Sequence, residues 1–260
     1  ARLFDKDLKD INYDRILQMA KERTANANGW RFIIIGNYDE ATIRPLIERY
    51  LGSLPSKGAN PNSKKVTFFK KGVTNNDFTR KMETPKADAN MVWFSEDIPY
   101  TTENAIKASI AGQILSMVYI KKIREDASAA YTCGASGSAS IDDKDHNVTL
   151  FAYCPMKPEK ADLALQIMRD EVTNITKQCD PEMLAKVKEY MLKEVEDEEK
   201  TNSYWAGVIG TWYRYGIDTH TDYKALVSKQ TPQSISNFVK DVLKAGNRIQ
   251  VTMMPLEDKK

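Results

Sequence analysis

Few side chains in this chain can carry catalytic chemistry, and their spacing narrows the options at once. Of 260 residues only two are histidine, His146 and His220, and three are cysteine, Cys133, Cys154 and Cys179. A catalytic zinc usually takes about three protein ligands and keeps one position open. Neither histidine has a partner histidine at i+3 or i+4. His146 ends the polar stretch Ile141-Asp142-Asp143-Lys144-Asp145-His146, and His220 lies in Asp218-Thr219-His220-Thr221-Asp222. Both read as solvated loop residues, and no metal is expected on this chain. The cysteines are odd in number and lack C-x-x-C spacing, which argues against a disulfide framework or a cysteine zinc site.

Other constellations fail in the same way. There is no G-x-x-x-x-G-K-[ST] loop to cradle phosphates and no G-x-G-x-x-G after the first apolar run, where Gly36 stands alone. A Ser-His-Asp triad would need a G-x-S-x-G elbow, and none exists. Lys+Arg 38 against Asp+Glu 36 leaves a formal +2. The charge is spread along the chain in short pairs such as Lys64-Lys65, without the basic stripe of a nucleic-acid binder. No apolar run approaches the roughly 20 residues needed to span a bilayer. The chain begins Ala1-Arg2-Leu3-Phe4 with no Met and no signal segment, and reads as a piece of a longer protein.

The elements that would position any site follow from periodicity. Residues 12–25 form a helix with Ile16, Met19 and Ala20 on one face, and residues 30–35, Trp-Arg-Phe-Ile-Ile-Ile, a buried strand. Asp39 caps a helix to Leu51 that contains Pro45, and residues 53–65, with two prolines and a glycine, are a linker. Strands are expected at 66–69, 76–82 and 90–94. A long helix follows at 103–124, behind Thr101-Thr102, with Ile106, Ile110, Ile114, Met117 and Val118 inward. Residues 130–140 and 147–154 make a hairpin. If Asp143-Lys144 is its central turn, Cys133 falls opposite Cys154, and both are expected as buried thiols.

Three further helices begin at Pro158, Asp180-Pro181 and Thr231-Pro232, and a last strand covers 248–253. The aromatic set Tyr204, Trp205, Trp212, Tyr213 and Tyr215 reads as packing between helices. Strands followed by helices predict an α+β fold: a mixed, largely antiparallel sheet with helices layered on one face.

One segment stands apart, Ile123-Arg124-Glu125-Asp126-Ala127-Ser128-Ala129-Ala130-Tyr131-Thr132-Cys133-Gly134, at the junction of the long helix and a strand. Arg-Glu, five residues, then Tyr at such a junction resembles the C-terminal half of the pitrilysin/insulinase zinc peptidases. Their inverted H-x-x-E-H motif lies in a different module. Phe32-Ile33-Ile34-Ile35-Gly36-Asn37-Tyr38-Asp39-Glu40, then Arg49-Tyr50-Leu51-Gly52-Ser53-Leu54-Pro55, resemble the family's opening strand and helix. The likeness runs from about residue 12 to 256. This chain has Ser128-Ala129-Ala130 where relatives often have Leu-Gly before the Tyr, so the subfamily stays open.

The resemblance implies a metalloprotease-like module: residues 1–28 as a leading segment and helix from the preceding part of a longer protein, and 29–260 as the C-terminal module. It implies a zinc metallopeptidase parent, with zinc held by another module and none by this chain, and a fragment inactive alone. It implies as partners a zinc-bearing N-terminal half, on the same or another chain, and a peptide substrate, with no nucleic acid and no membrane span. An exported, periplasmic bacterial location is slightly favoured. Arg124 would bind a substrate carbonyl, and Tyr131 would assist catalysis by donating to the developing oxyanion. Two alternatives stay open: Arg124 as a cation at a helix C-terminus with Tyr131 a half-buried strand residue, and a catalytically inactive scaffold or peptide-holding subunit of the same fold.

Overall fold

The structure, a computed structural model, describes residues 8–58, 68–142 and 147–256. Residues 66 and 67, most of the expected linker and the hairpin turn with His146 lie outside the described residues. The chain divides into two compact units, 1–64 and 65–260. Residues 26–28 are tied to residues 55–58: Ala27 N–H donates to the Pro55 carbonyl at 2.6 Å, and Asn28 Nδ2 to the Gly58 carbonyl.

The described residues of the first unit include two helices. Helix α1, Tyr13–Thr24, starts where Asn12 Oδ1 accepts from Arg15 N–H. Helix α2, Glu40–Tyr50, starts where Asp39 Oδ1 accepts from Thr42 N–H. Both caps satisfy an amide that the first helical turn leaves without a partner. Pro45 sits inside α2, and neither helix has a buried residue. The expected buried strand at 30–35 is not one. The segment enters no strand pairing among the described residues, and Trp30, Phe32, Ile33 and Ile34 are exposed. A strand needs a neighbour for its amides and carbonyls, and no described strand supplies it.

The second unit is an α+β layer. Its strands are β1 (Val73–Arg80), β2 (Ala87–Ser95), β3 (Gly134–Ala139), β4 (Val148–Met156) and β5 (Asn247–Pro255). They form one sheet in the order β1-β5-β2-β4-β3. Only β1 and β5 pair in parallel; the other neighbours are antiparallel. The helices are α3 (Thr102–Tyr119), α4 (Ala161–Lys177), α5 (Pro181–Glu198), α6 (Asn202–Tyr215), α7 (Tyr223–Ser228) and α8 (Pro232–Lys244).

The core lies between one sheet face and the helices. Ala87, Ala89, Met91 and Trp93 of β2 alternate inward beside Val148, Leu150, Ala152 and Cys154 of β4, the period of a sheet covered on one side. Ile106, Ile110 and Ile114 of α3, Leu165, Met168 and Val172 of α4, and Leu184, Val187 and Met191 of α5 meet them. Helix α3 lies almost on the backbone of β3: a Cβ on Gly137 would collide with the Ala108 carbonyl, and one on Gly112 with Gly137 N. Two glycines thus set the depth at which the helix enters the core.

Candidate functional site

Arg124 and Tyr131 sit where α3 hands the chain to β3. The α-helix stops at Tyr119, earlier than the periodicity suggests, and continues as a π-helical turn, Ile120–Asp126. Such wide turns tend to occur at functional sites. Two buried groups hold this one: Ile123 is fully covered, and Tyr119 donates its hydroxyl to the Met168 carbonyl at 2.8 Å. Lys122 pairs with Glu171 at 2.7 Å on the solvent side.

The following loop is pinned along its length. Ala127 N–H donates to the Lys122 carbonyl and Ala129 N–H to the Ile123 carbonyl. Lys157 N–H donates to Ala129 O, Lys160 Nζ donates to Ala127 O, and Ala130 bridges Met156. Ser128 takes φ 49°, left-handed backbone that a serine rarely adopts, and reverses the chain there. Ala129, Ala130 and Cys133, just after the reversal, are buried.

What this scaffold displays is an exposed pair. Tyr131 is 88% exposed, and the Arg124 guanidinium carbon lies 5.8 Å from its ring centroid. That is cation–π distance, so each side chain limits the other's rotamers while both polar heads face solvent. The half-buried strand alternative for Tyr131 does not hold. Immediately beyond, Cys133 faces Cys154 in the register set by Gly134 opposite Tyr153. Both thiols are free and buried, as the turn position predicted. A hydrogen bond with Cys154, then the Arg124 charge, lowers the Cys133 thiol, while the same bond and burial push Cys154 up.

The structure departs from the sequence reading at two other places. His220 is a half-buried loop residue with partners. Its Nδ1 lies 2.8 Å from the Tyr204 hydroxyl and 3.8 Å from Glu199, with the Trp205 ring at 4.8 Å. The aromatic set does not pack between helices either: α6 has no buried residue, and Trp212 and Tyr213 are exposed. Sequence reasoning missed the π-helical turn and the Ser128 reversal, for which no residue pattern gives a signal. Among the described residues no group of three or more His, Cys, Asp or Glu is arranged to hold a metal ion. No described helix is long and apolar enough to cross a membrane.

A one-sided mixed sheet, a helix entering it through glycine contacts and an exposed Arg–Tyr pair at their junction define an α+β module with no metal-holding group among its described residues. The sequence profile described as the Peptidase M16 inactive domain matches residues 10–202, and the chain belongs to that family. Solved structures agree in fold. The ferredoxin protease FusC, solved as an E83A mutant with Arabidopsis ferredoxin, superposes with TM-score 0.74 at 17% identity, over 99% of this chain and 28% of its own. The periplasmic protease PqqL from Escherichia coli gives 0.67 at 20%, over 85% and 25%. Pitrilysin gives 0.64 at 14%, over 100% and 28%. This chain thus spans about a quarter of the length of each. No curated protein is a significant match.

Proposed function

We propose that this chain is the C-terminal, non-zinc part of a zinc-dependent metalloendopeptidase. It closes a chamber against a zinc-bearing half, on the same or another chain, and residues 1–28 belong with the part that precedes it. The metal ligands, H-x-x-E-H, lie in that other half, and this chain supplies none. Arg124 and Tyr131 act on the substrate side. Arg124 donates to a carbonyl of an extended peptide and holds it in register. Tyr131 donates its hydroxyl to the oxygen that gains charge as the peptide bond is attacked, an interaction that strengthens in the transition state. An exported, periplasmic location belongs to this reading, supported by the description of the Escherichia coli neighbour.

The observation that carries the proposal is the pinned, exposed pair: an 88% exposed tyrosine beneath a guanidinium 5.8 Å away. A ring that buries little contributes little to folding, so its ordered display calls for another explanation. The test is Tyr131→Phe in the parent protein assembled with its zinc-bearing half. Loss of one oxyanion donor should lower kcat about a hundredfold or more, and an exposed-site change should move stability by no more than ~0.5 kcal/mol. Arg124→Ala should mainly raise KM, by roughly tenfold, for one charge-assisted hydrogen bond. Unchanged turnover in Tyr131→Phe would remove the catalytic role and leave a peptide-holding scaffold.

A further inference from the structure

On the helix-facing side of β5, where the core is otherwise apolar, stands a polar row: Arg248, the buried Gln250 and the buried Thr252. Arg169 reaches it from α4, donating from Nη1 to Gln250 Oε1 at 3.0 Å and from Nη2 to Gln166 Oε1 at 3.1 Å. Arg248 donates from Nη2 to Asn75 Oδ1 at 3.1 Å, on the neighbouring strand β1, where Asn75 is the register partner of Gln250. Gln250 Nε2 is taken up by Thr252 Oγ1 at 3.2 Å. Two guanidinium groups therefore converge on one patch whose bonds to them are all neutral amides.

Among the described residues neither arginine enters an ion pair. The acids next to Arg169 on α4 are turned elsewhere, Asp170 to Gln166 and Glu171 to Lys122. Asp77, two positions beyond Asn75 on the same face of β1, is exposed and pairs with neither. Arg248 Nε is buried and has no hydrogen-bond partner at all. Burial, then the charge of Arg169, holds the Arg248 guanidinium below its ordinary value. Leaving a buried charged donor unmet is costly, and placing a second cation beside it adds to the cost. An oxyanion would remove both penalties, since the planar guanidinium fork matches carboxylate and phosphate oxygens.

We propose that Arg169 and Arg248, with Gln250 and Asn75 beside them, form an oxyanion-binding site separate from the Arg124–Tyr131 loop. The shared chemistry is a carboxylate or phosphate group with at least two oxygens. It arrives either as a free ion or as the acidic side chain of a polypeptide. The guanidinium N–H groups that Gln250, Gln166 and Asn75 leave free are the donors, and Asn75 and Gln250 fix the planes of the two forks.

The test is melting of the chain in rising sodium phosphate, with ionic strength held constant by chloride, and separately in rising concentrations of a blocked tripeptide with a central glutamate. A ligand that binds only the folded state raises Tm in a saturable way. Wild type should saturate, and Arg169→Gln or Arg248→Gln should raise the half-effect concentration roughly tenfold or more, the loss of one charged hydrogen bond. Saturation by phosphate alone assigns a free ion, and saturation by the tripeptide at lower concentration assigns a polypeptide carboxylate. A control in wild type needs no folded variant: phosphate should slow phenylglyoxal modification of Arg169 and Arg248, mapped by mass spectrometry, relative to exposed arginines. No saturation with either probe, equal half-effects in the variants, or unprotected Arg169 and Arg248 would each overturn the proposal.

Discussion

The first unit and the end of the second write nearly the same phrase, and only one of them is folded into a core. Helix α1 begins behind Asn12 and helix α8 behind Thr231. Counting from those caps, Ile16, Met19 and Ala20 fall where Ile235, Phe238 and Val239 fall. Each helix is followed by a left-handed glycine, Gly29 at φ 76° and Gly246 at φ 67°, and each glycine by an arginine two places on, Arg31 and Arg248. Then comes an apolar, β-branched run. In the second unit it becomes β5, paired to β1 on one side and β2 on the other. In the first it stays an extended segment outside any described pairing.

The contrast separates what is local from what is not. Capping, helical period and the glycine turn are decided within a few residues, so both copies have them. Burial and strand identity depend on partners, so Ile235 is 0% exposed and Ile16 is 54%. Sequence reasoning treated residues 30–35 as a buried strand because their composition matches one. Composition cannot report whether a neighbour is present.

The largest effect that tests this contrast is truncation at matched positions. Ile235→Ala should cost the second unit about 2–5 kcal/mol, the lost transfer energy plus the cavity left behind. Ile16→Ala should change the chain's unfolding by no more than about 0.5 kcal/mol. Urea titration followed by circular dichroism measures both. A comparable loss at Ile16 would mean that α1 is buried in solution and would break the contrast. Amide exchange gives a second reading, with β5 slower than residues 31–35 by roughly a thousandfold or more.

The rest of the molecule was legible to the same local extent. The stripes of α4 and α5 are readable because one helical face is apolar, and their apolar residues at helical spacing are buried: Ala161, Leu165, Met168, Val172 and Ile175, then Leu184, Val187, Met191 and Val195. The Cys133–Cys154 register followed from the turn position alone. Helix α6 was misread because Tyr204, Trp205, Val208, Ile209, Trp212 and Tyr213 do share one helical face, yet the helix has no buried residue: a period shows that a face is apolar and not whether a partner covers it. For the candidate site, spacing identified the junction that carries Arg124 and Tyr131. It did not give their stacking, which depends on the π-helical turn and on Ser128, where a backbone choice and not a side-chain type decides the outcome.

The caps give a smaller, sharper comparison. Thr231 accepts from Ser234 N–H while Ser234 Oγ accepts from Thr231 N–H, a reciprocal capping box. Thr231→Ala should therefore cost the second unit about 1 kcal/mol. Asn12 offers the same kind of cap, with its Oδ1 2.9 Å from Arg15 N. Asn12→Ala should speed amide exchange in the first turn of α1 while the second unit's transition stays where it was. A shift of that transition would show that the two units fold as one.

The smallest effect contrasts charges. Arg44 and Glu40 pair within one helix of the first unit, whereas Glu103 at the start of α3 pairs with Lys107 and also with Lys229, 126 positions away and just before the cap of α8. Lys107 first, then Lys229, hold the Glu103 carboxyl at about 2, below its ordinary 4.5. Above 4.5 the group is ionised in folded and unfolded chains alike, and the ion pairs contribute in full. Between 4.5 and about 2 the unfolded chain takes up the proton first, so stability falls as pH falls through that window. Glu103→Gln should lie below wild type in melting temperature at neutral pH, and the two curves should converge as pH approaches 2. The pairs are solvent-screened, so the gap is modest. Glu40→Gln, which breaks only a local pair, should leave the second unit's melting unchanged at every pH. A gap that widens with acid would reverse the sign and remove Glu103 as a tie between α3 and the segment leading into α8.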